Sequence, residues 1–153
     1  MNEFKPFKDK LAGLIAALSP ASRRRMTVEI AKKLRQRQQQ RIKSQKSPDG
    51  TPYAPRKRQP IKAKKGRIKR EMFTKLRTNR FMKAKGDDNA AVVEFTSKVQ
   101  RIARVHHYGL KDKPGRNSAA VEYPERQLFG FSEKDINIVE NIIVKELYFI
   151  FEG

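Results

Sequence analysis

His106 and His107 are the only imidazoles in the 153-residue chain, and cysteine is absent. Thiol nucleophiles, disulfides and Cys-ligated zinc are therefore excluded. The two histidines are sequence neighbours, so their side chains leave the backbone in different directions, and no paired carboxylate stands beside them to complete a metal site. A metal-dependent nuclease would need an acid followed by an Asp/Glu-x-Lys triplet. Pro48-Asp49 could open that motif, yet the one triplet of that form, Glu3-Phe4-Lys5, precedes it. Gly-rich phosphate loops of Walker or Rossmann spacing are missing as well. These residues predict a protein that is not an enzyme and takes no metal and no cofactor.

What the chain has in abundance is positive charge, a net of +20. Between Arg23 and Arg80 there are 22 Lys or Arg against three acids (Glu29, Asp49 and Glu71), a net of +19. All other residues together hold 14 basic and 13 acidic side chains, a net of +1. A one-signed field on that scale attracts polyanions and repels copies of itself. The candidate polyanion or partner contacts are Arg23, Arg24 and Arg25, then Arg56, Lys57, Arg58, Lys64, Lys65 and Arg67. No zinc-finger spacing or RNP-type aromatic pair accompanies them, so nucleic-acid contacts would go to phosphates and read no sequence. A solvated surface and a contact with acidic subunit surfaces are the other readings of the same run.

The elements that must carry these residues follow from periodicity. Phe7, Leu11, Leu14, Ile15 and Leu18 predict a first helix. Ser19-Pro20, an N-cap followed by proline at the first helical position, opens a second that runs to about Ser44. Its apolar stripe of Met26, Ile30, Leu34 and Ile42 is narrow, and about 25 residues make a rod of roughly 37 Å. Ser47-Pro48-Asp49-Gly50 ends it in a turn. Residues 47–70, with Pro52, Pro55 and Pro60 among basic side chains, predict an extended mobile loop. A short helix is expected over Glu71–Arg77, and a hairpin from residues 80–85 and 91–95 around Gly86-Asp87-Asp88-Asn89. Residues 98–107 predict a short helix and 119–123 another strand. Ser132 caps a last helix whose apolar positions (Ile136, Val139, Ile143, Leu147 and Ile150) are widened by Ile138, Ile142 and Phe149. It is the core element, packed on the sheet. The fold class is α+β in one domain: N-terminal helices over 1–46, a basic loop over 47–70, and over 71–153 an antiparallel sheet of three or four strands with the C-terminal helix on it. No run reaches the roughly 18 apolar residues of a membrane span, and the N-terminal stretch has no signal-peptide pattern. A soluble protein made in a cytoplasm is expected.

Three stretches together resemble the phage virion morphogenesis family, the tail completion proteins of contractile-tailed and Mu-like phages or prophages. Ser47-Pro48-Asp49-Gly50-Thr51-Pro52-Tyr53-Ala54-Pro55 is similar to the family's "PDG-x-x-W-x-P" turn, with Tyr53 where Trp is common. Ile102 to Gly109 is similar to its "A-x-x-H-x-x-G" segment. Tyr123 to Ser132 is similar to the "P-x-R" run that leads through Leu and Gly to Ser before the last helix, with Glu125 in place of a small residue. The resemblance implies a structural virion protein, assembled in the host cytoplasm, that acts in tail completion or head–tail joining at the head-proximal end of the tail. It would work as a homo-oligomeric ring, often hexameric in relatives, related to tail-terminator and neck proteins. Its partners would be tail tube or neck proteins, with DNA phosphates in the lumen and no membrane. His106, Tyr108, Tyr123, Arg126 and Phe129 are the expected structural seam or interface, with Arg126 an interface or buried ion-pair partner. The alternative from charge alone is a sequence-independent nucleic-acid-binding module.

Overall fold

The computed structural model describes residues 5–56 and 71–151. In chain order its elements are α1 (Lys5–Ala16), α2 (Pro20–Lys43), β1 (Met82–Gly86), β2 (Ala91–Phe95), α3 (Ser97–Tyr108), β3 (Lys111–Asp112), β4 (Val121–Glu122) and α4 (Glu133–Phe151). The α+β class holds. The sheet does not hold as expected: β1 pairs with β2 and β3 with β4 in two separate two-stranded sheets, in place of one sheet of three or four strands. β3 and β4 are two residues long each, and α3 stands between the two hairpins in the chain.

The chain divides into two compact units. One gathers Met1–Arg35, Ala84–Val93 and Glu133–Gly153. Its core is Leu18, Met26, Ile30, Leu34 and Leu147, with Ile15, Ala91, Val93, Val139, Ile142 and Ile143 packed against them. The helical stripes thus meet the inner face of β2, and α4 lies on the hairpin. Ser19 caps α2 as its sequence requires, its Oγ accepting from the Ser22 N–H at 3.2 Å. α4 departs from expectation at Ile136, which is 46% exposed, and Val144 and Tyr148 also face outward.

The hairpin tip is fixed by two devices. Asp87 Oδ1 accepts from the N–H groups of Asn89 and Ala90, both at 2.7 Å, and these donors hold its carboxyl below the usual carboxylate range. Gly86 lies directly on the α2 backbone, where a Cβ would stand 2.4 Å from Val28 N and 2.6 Å from the Thr27 carbonyl carbon.

The second unit comprises Gln36–Lys83 and Glu94–Ser132. Ile42, Met82 and Leu128 are its most deeply buried apolar side chains. The helix expected over Glu71–Arg77 is absent; the segment forms turns. The cause is local. Phe73 sits at φ 66°, in the left-handed region that breaks a helix, and Gln45 takes both polar groups of Met72, accepting from its N–H and donating to its C=O at 2.9 Å each.

Gly86→Ala should cost at least about 1–3 kcal/mol, because the atoms in the way are backbone. Gly13→Ala, in open space on α1, should be neutral or stabilising by up to about 1 kcal/mol. Thermal melts of the two variants check the contrast; equal melting temperatures would refute it.

Candidate functional site

Each of the three stretches singled out in the sequence lies in the second unit, and the fold brings them into one seam. The first is the turn after α2. Ser47 N–H donates to Thr51 O at 2.8 Å and Gly50 N–H to Ser47 O at 2.9 Å. Asp49 Oδ1 accepts from the Thr51 N–H at 2.9 Å, which holds the exposed Asp49 carboxyl below its ordinary value. Gly50 takes φ 89°, which only glycine adopts freely. The turn delivers Tyr53, Ala54 and Pro55 to the seam.

The second stretch is the end of α3. Gly109 closes the helix at φ 66° and ψ 51°, and the Leu110 N–H donates to Val105 O at 2.9 Å, a left-handed C-terminal cap. A Cβ on Gly109 would also meet Glu125 N at 2.8 Å, so conformation and space both demand glycine there. The third stretch, Tyr123 to Ser132, lies along this helix end.

Arg126 is the link among them. It is 6% exposed, and its guanidinium donates from Nε to Ala54 O at 2.9 Å and from Nη2 to Pro55 O at 3.1 Å. Its own N–H donates to His106 O at 2.8 Å. One residue therefore ties all three stretches. Burial, then the charge of Arg56, lower its pKa, while Tyr53 opposes that. Arg126, offered by the sequence as an interface or buried ion-pair partner, is buried, and what holds it is backbone carbonyl oxygen.

The neighbouring polar atoms do similar work. The Tyr53 hydroxyl donates to Gln127 O at 2.7 Å, and burial pushes its pKa up to about 12, against the opposing charges of Arg41 and Arg126. His107 Nδ1 accepts from the Leu128 N–H at 3.1 Å, which assigns that ring the neutral tautomer with its proton on Nε2. Gln38 clamps Gly130, donating to its C=O at 3.1 Å and accepting from its N–H at 3.2 Å. Gly130 in turn lies on Pro48, whose Cγ would be 2.5 Å from an added Cβ.

Aromatic rings fill the space between. Tyr53, Phe73, His106 and Tyr123 form a chain of edge-to-face contacts with centroids 5.8, 5.1 and 4.8 Å apart. Phe129 stacks on Phe95 at 4.5 Å, while Tyr108 is 61% exposed and contacts only the His107 ring edge-on among the rings described. Burial lowers the pKa of both histidines, with Arg126 adding to the effect at His106. His106 Nδ1 is buried without a hydrogen-bond partner.

The basic candidates divide differently. In the first unit Arg24 and Arg25 are exposed on α2 and Arg23 is half-buried; Arg25 Nε lies 3.5 Å from Glu146 Oε1. Arg56 is exposed beside the seam. Lys57, Arg58, Lys64, Lys65 and Arg67 lie outside the described residues. Among the described residues, no group of three or more His, Asp or Glu side chains is placed to hold a metal ion, and no helix is long and apolar enough to cross a membrane. The sequence did not assign Gln38, Gln45 or His107 these roles, because a side chain that binds distant backbone leaves no spacing pattern.

The model of the phage virion morphogenesis family matches residues 2–148, nearly the whole chain. The chain belongs to that family. It is 48% identical over 148 residues to tail completion protein S of Escherichia phage P2, covering 96% of this chain and 99% of that relative. No solved structure matches it. The seam is built from the three stretches by which the sequence resembles that family.

Arg126→Gln removes both carbonyl contacts and should cost about 2–3 kcal/mol, the scale of charge-assisted hydrogen bonds. Arg126→Lys should restore less than half, since an ammonium does not span two carbonyls as a guanidinium does. Urea unfolding measures both, and a fully stable Gln variant would refute the role. Because the fold prefers a neutral Tyr53, that contribution is complete below pH 10 and lost as pH rises toward 12. The histidines act at the other end: their stabilisation is present above pH 6.5 and lost as pH falls below it. A spectrophotometric titration should show a tyrosinate near 12 that disappears in Tyr53→Phe.

Proposed function

We propose that the protein is a structural, non-enzymatic component of phage tail completion or head–tail joining, working as a ring oligomer at the head-proximal end of the tail. The observation that carries this reading is the near full-length 48% identity to a protein named for tail completion. The seam supports a structural role on chemical grounds. Arg126, Tyr53, His107 and Gln38 spend their polar atoms on the chain's own backbone, the opposite of a site that presents a nucleophile or base to substrate.

Self-association is supported by α4. Val144 and Tyr148, four residues apart on one face, are exposed along it, and Ile136 is exposed near its start. With Asp135 buried, α4 carries Glu133, Glu140 and Glu146 against Lys134 and Lys145, so its surface is close to neutral in a chain of +20. Copies can approach there without the repulsion met elsewhere. The exposed Arg24 and Arg25 of the first unit and, separately, the exposed Arg56 of the second are offered to a neighbouring tail or neck protein or to DNA phosphates in the lumen. Phosphate contact alone gives affinity without sequence preference, which suits passage of any genome.

Native mass spectrometry should find the protein on purified tails as a closed multi-copy assembly, and Val144→Asp should reduce it to a folded monomer. A strict monomer, absent from tails, that retards duplex DNA with a steep salt dependence would overturn the reading in favour of a sequence-independent nucleic-acid module.

A further inference from the structure

Between α3 and the run that precedes α4, the second unit has a cavity of about 460 Å³, a size that accepts side chains or small ligands. Its lining is aromatic: Phe129 stacks on Phe95 at 4.5 Å, and His107 meets Tyr108 edge to face. Phe131 lines it too, yet is 66% exposed, and Tyr108 is exposed with it. The wall is held in place from behind. Gln38 clamps Gly130, next to Phe131, through both its backbone groups, and His107 Nδ1 accepts from the Leu128 N–H. Among the described lining residues there is no acid, and Arg104 supplies the one permanent charge. Exposed rings with an arginine beside them have the composition of an interface centre, where aromatic residues and Arg concentrate.

The chain itself carries a surface of matching kind. On α4, Glu140, Val144 and Tyr148 follow one another at four-residue spacing, on one face, and Val144 and Tyr148 are exposed. Neither Arg104 nor Glu140 is engaged in an ion pair among the described residues. Pairing like with like leaves one of the two apolar surfaces in water. Groove against groove also brings Arg104 toward its own copy, in a chain already at +20. Helix against groove covers both surfaces and opposes unlike charges. We infer that the outer face of α4 of one copy docks in this cavity of the next, Val144 and Tyr148 entering against Phe129 and Phe131 while Glu140 meets Arg104. Such a contact is heterologous: every copy offers one helix and one groove, and the pairing propagates until it closes on itself. The inference rests on the self-association reading above and assigns it two surfaces.

The test is complementation between two variants of the full chain, followed by sedimentation velocity. Val144→Asp spoils the helix face and leaves the groove; Phe131→Asp spoils the groove and leaves the helix. Each alone should be a monomer, and their equimolar mixture should form a 1:1 dimer through the one intact pair of surfaces. Should either variant fail to fold, the charges give a second route. Arg104→Glu and Glu140→Lys should each weaken association about fivefold, the scale of one ion pair, and a chain carrying both should regain most of it. A mixture that stays monomeric, a double charge variant no better than the singles, or a monomeric wild type would overturn the inference. Assembly that survives Phe131→Asp but not Val144→Asp would overturn it too, while leaving a ring built through some other surface intact. Open-ended growth of the wild type, with complementation observed, would sustain the pairing and sink the closed ring, so the two failures are distinguishable.

Discussion

The Arg126 guanidinium must bury a permanent charge, and the second unit is arranged around meeting that demand. A buried cation is tolerated only when its donors are occupied, and the Ala54 and Pro55 carbonyls supply the acceptors. Those carbonyls exist at the right place because the Pro48-Asp49-Gly50 turn reverses the chain after α2 and because Tyr53 is pinned through its hydroxyl to Gln127 O. Arg126 is itself placed by its N–H bond to His106 O at the end of α3, and that end needs Gly109 to let Glu125 approach. Each contact is modest alone. Joined in a closed circuit they restrict one another, so removing the charged member should be felt at all three stretches together.

This circuit also explains where the basic segment begins. Arg56 follows directly on the two residues whose carbonyls Arg126 holds, so the run of charge from Arg56 starts at an anchored point of the chain. A chain of +20 cannot pack such charge inside. Arg56 itself stays exposed at that point. On α2 the same requirement is met by periodicity: Met26, Ile30 and Leu34 face the core while Arg24, Arg25, Lys32 and Lys33 remain exposed.

Periodic signals were legible and local exceptions were not. The two long helices, the β1–β2 hairpin and the 97–108 helix lie within a residue or a few of where spacing, caps and turns put them, because those signals span many residues. The Glu71–Arg77 segment has helical spacing in Met72, Phe73 and Leu76, but the Gln45 side chain and the left-handed Phe73 override it. β3 was invisible, since two residues carry no alternation, and its absence from the reading allowed β4 to be assigned to a sheet with β1 and β2. At the seam, Arg126, His106 and Tyr123 were visible as unusual residue types in a short span. Gln38 and His107 acquire their roles only once residues some 92 and 21 positions away in the chain arrive beside them.

The exposed apolar face of α4 and the charge of the rest of the chain constrain one another. At physiological salt, charges are screened over about 8 Å, so two copies of a +20 chain meet repulsion at close range on most faces. α4 differs: it carries four acids against two bases, with Asp135 fully buried and Glu146 3.5 Å from Arg25, and Val144 and Tyr148 face outward from it. Its inner stripe of Val139, Ile143 and Leu147 packs on the core, while Val144 and Tyr148 form a second apolar stripe turned away from it. That arrangement accounts for its being apolar over more of its circumference than a core helix at a free surface would need.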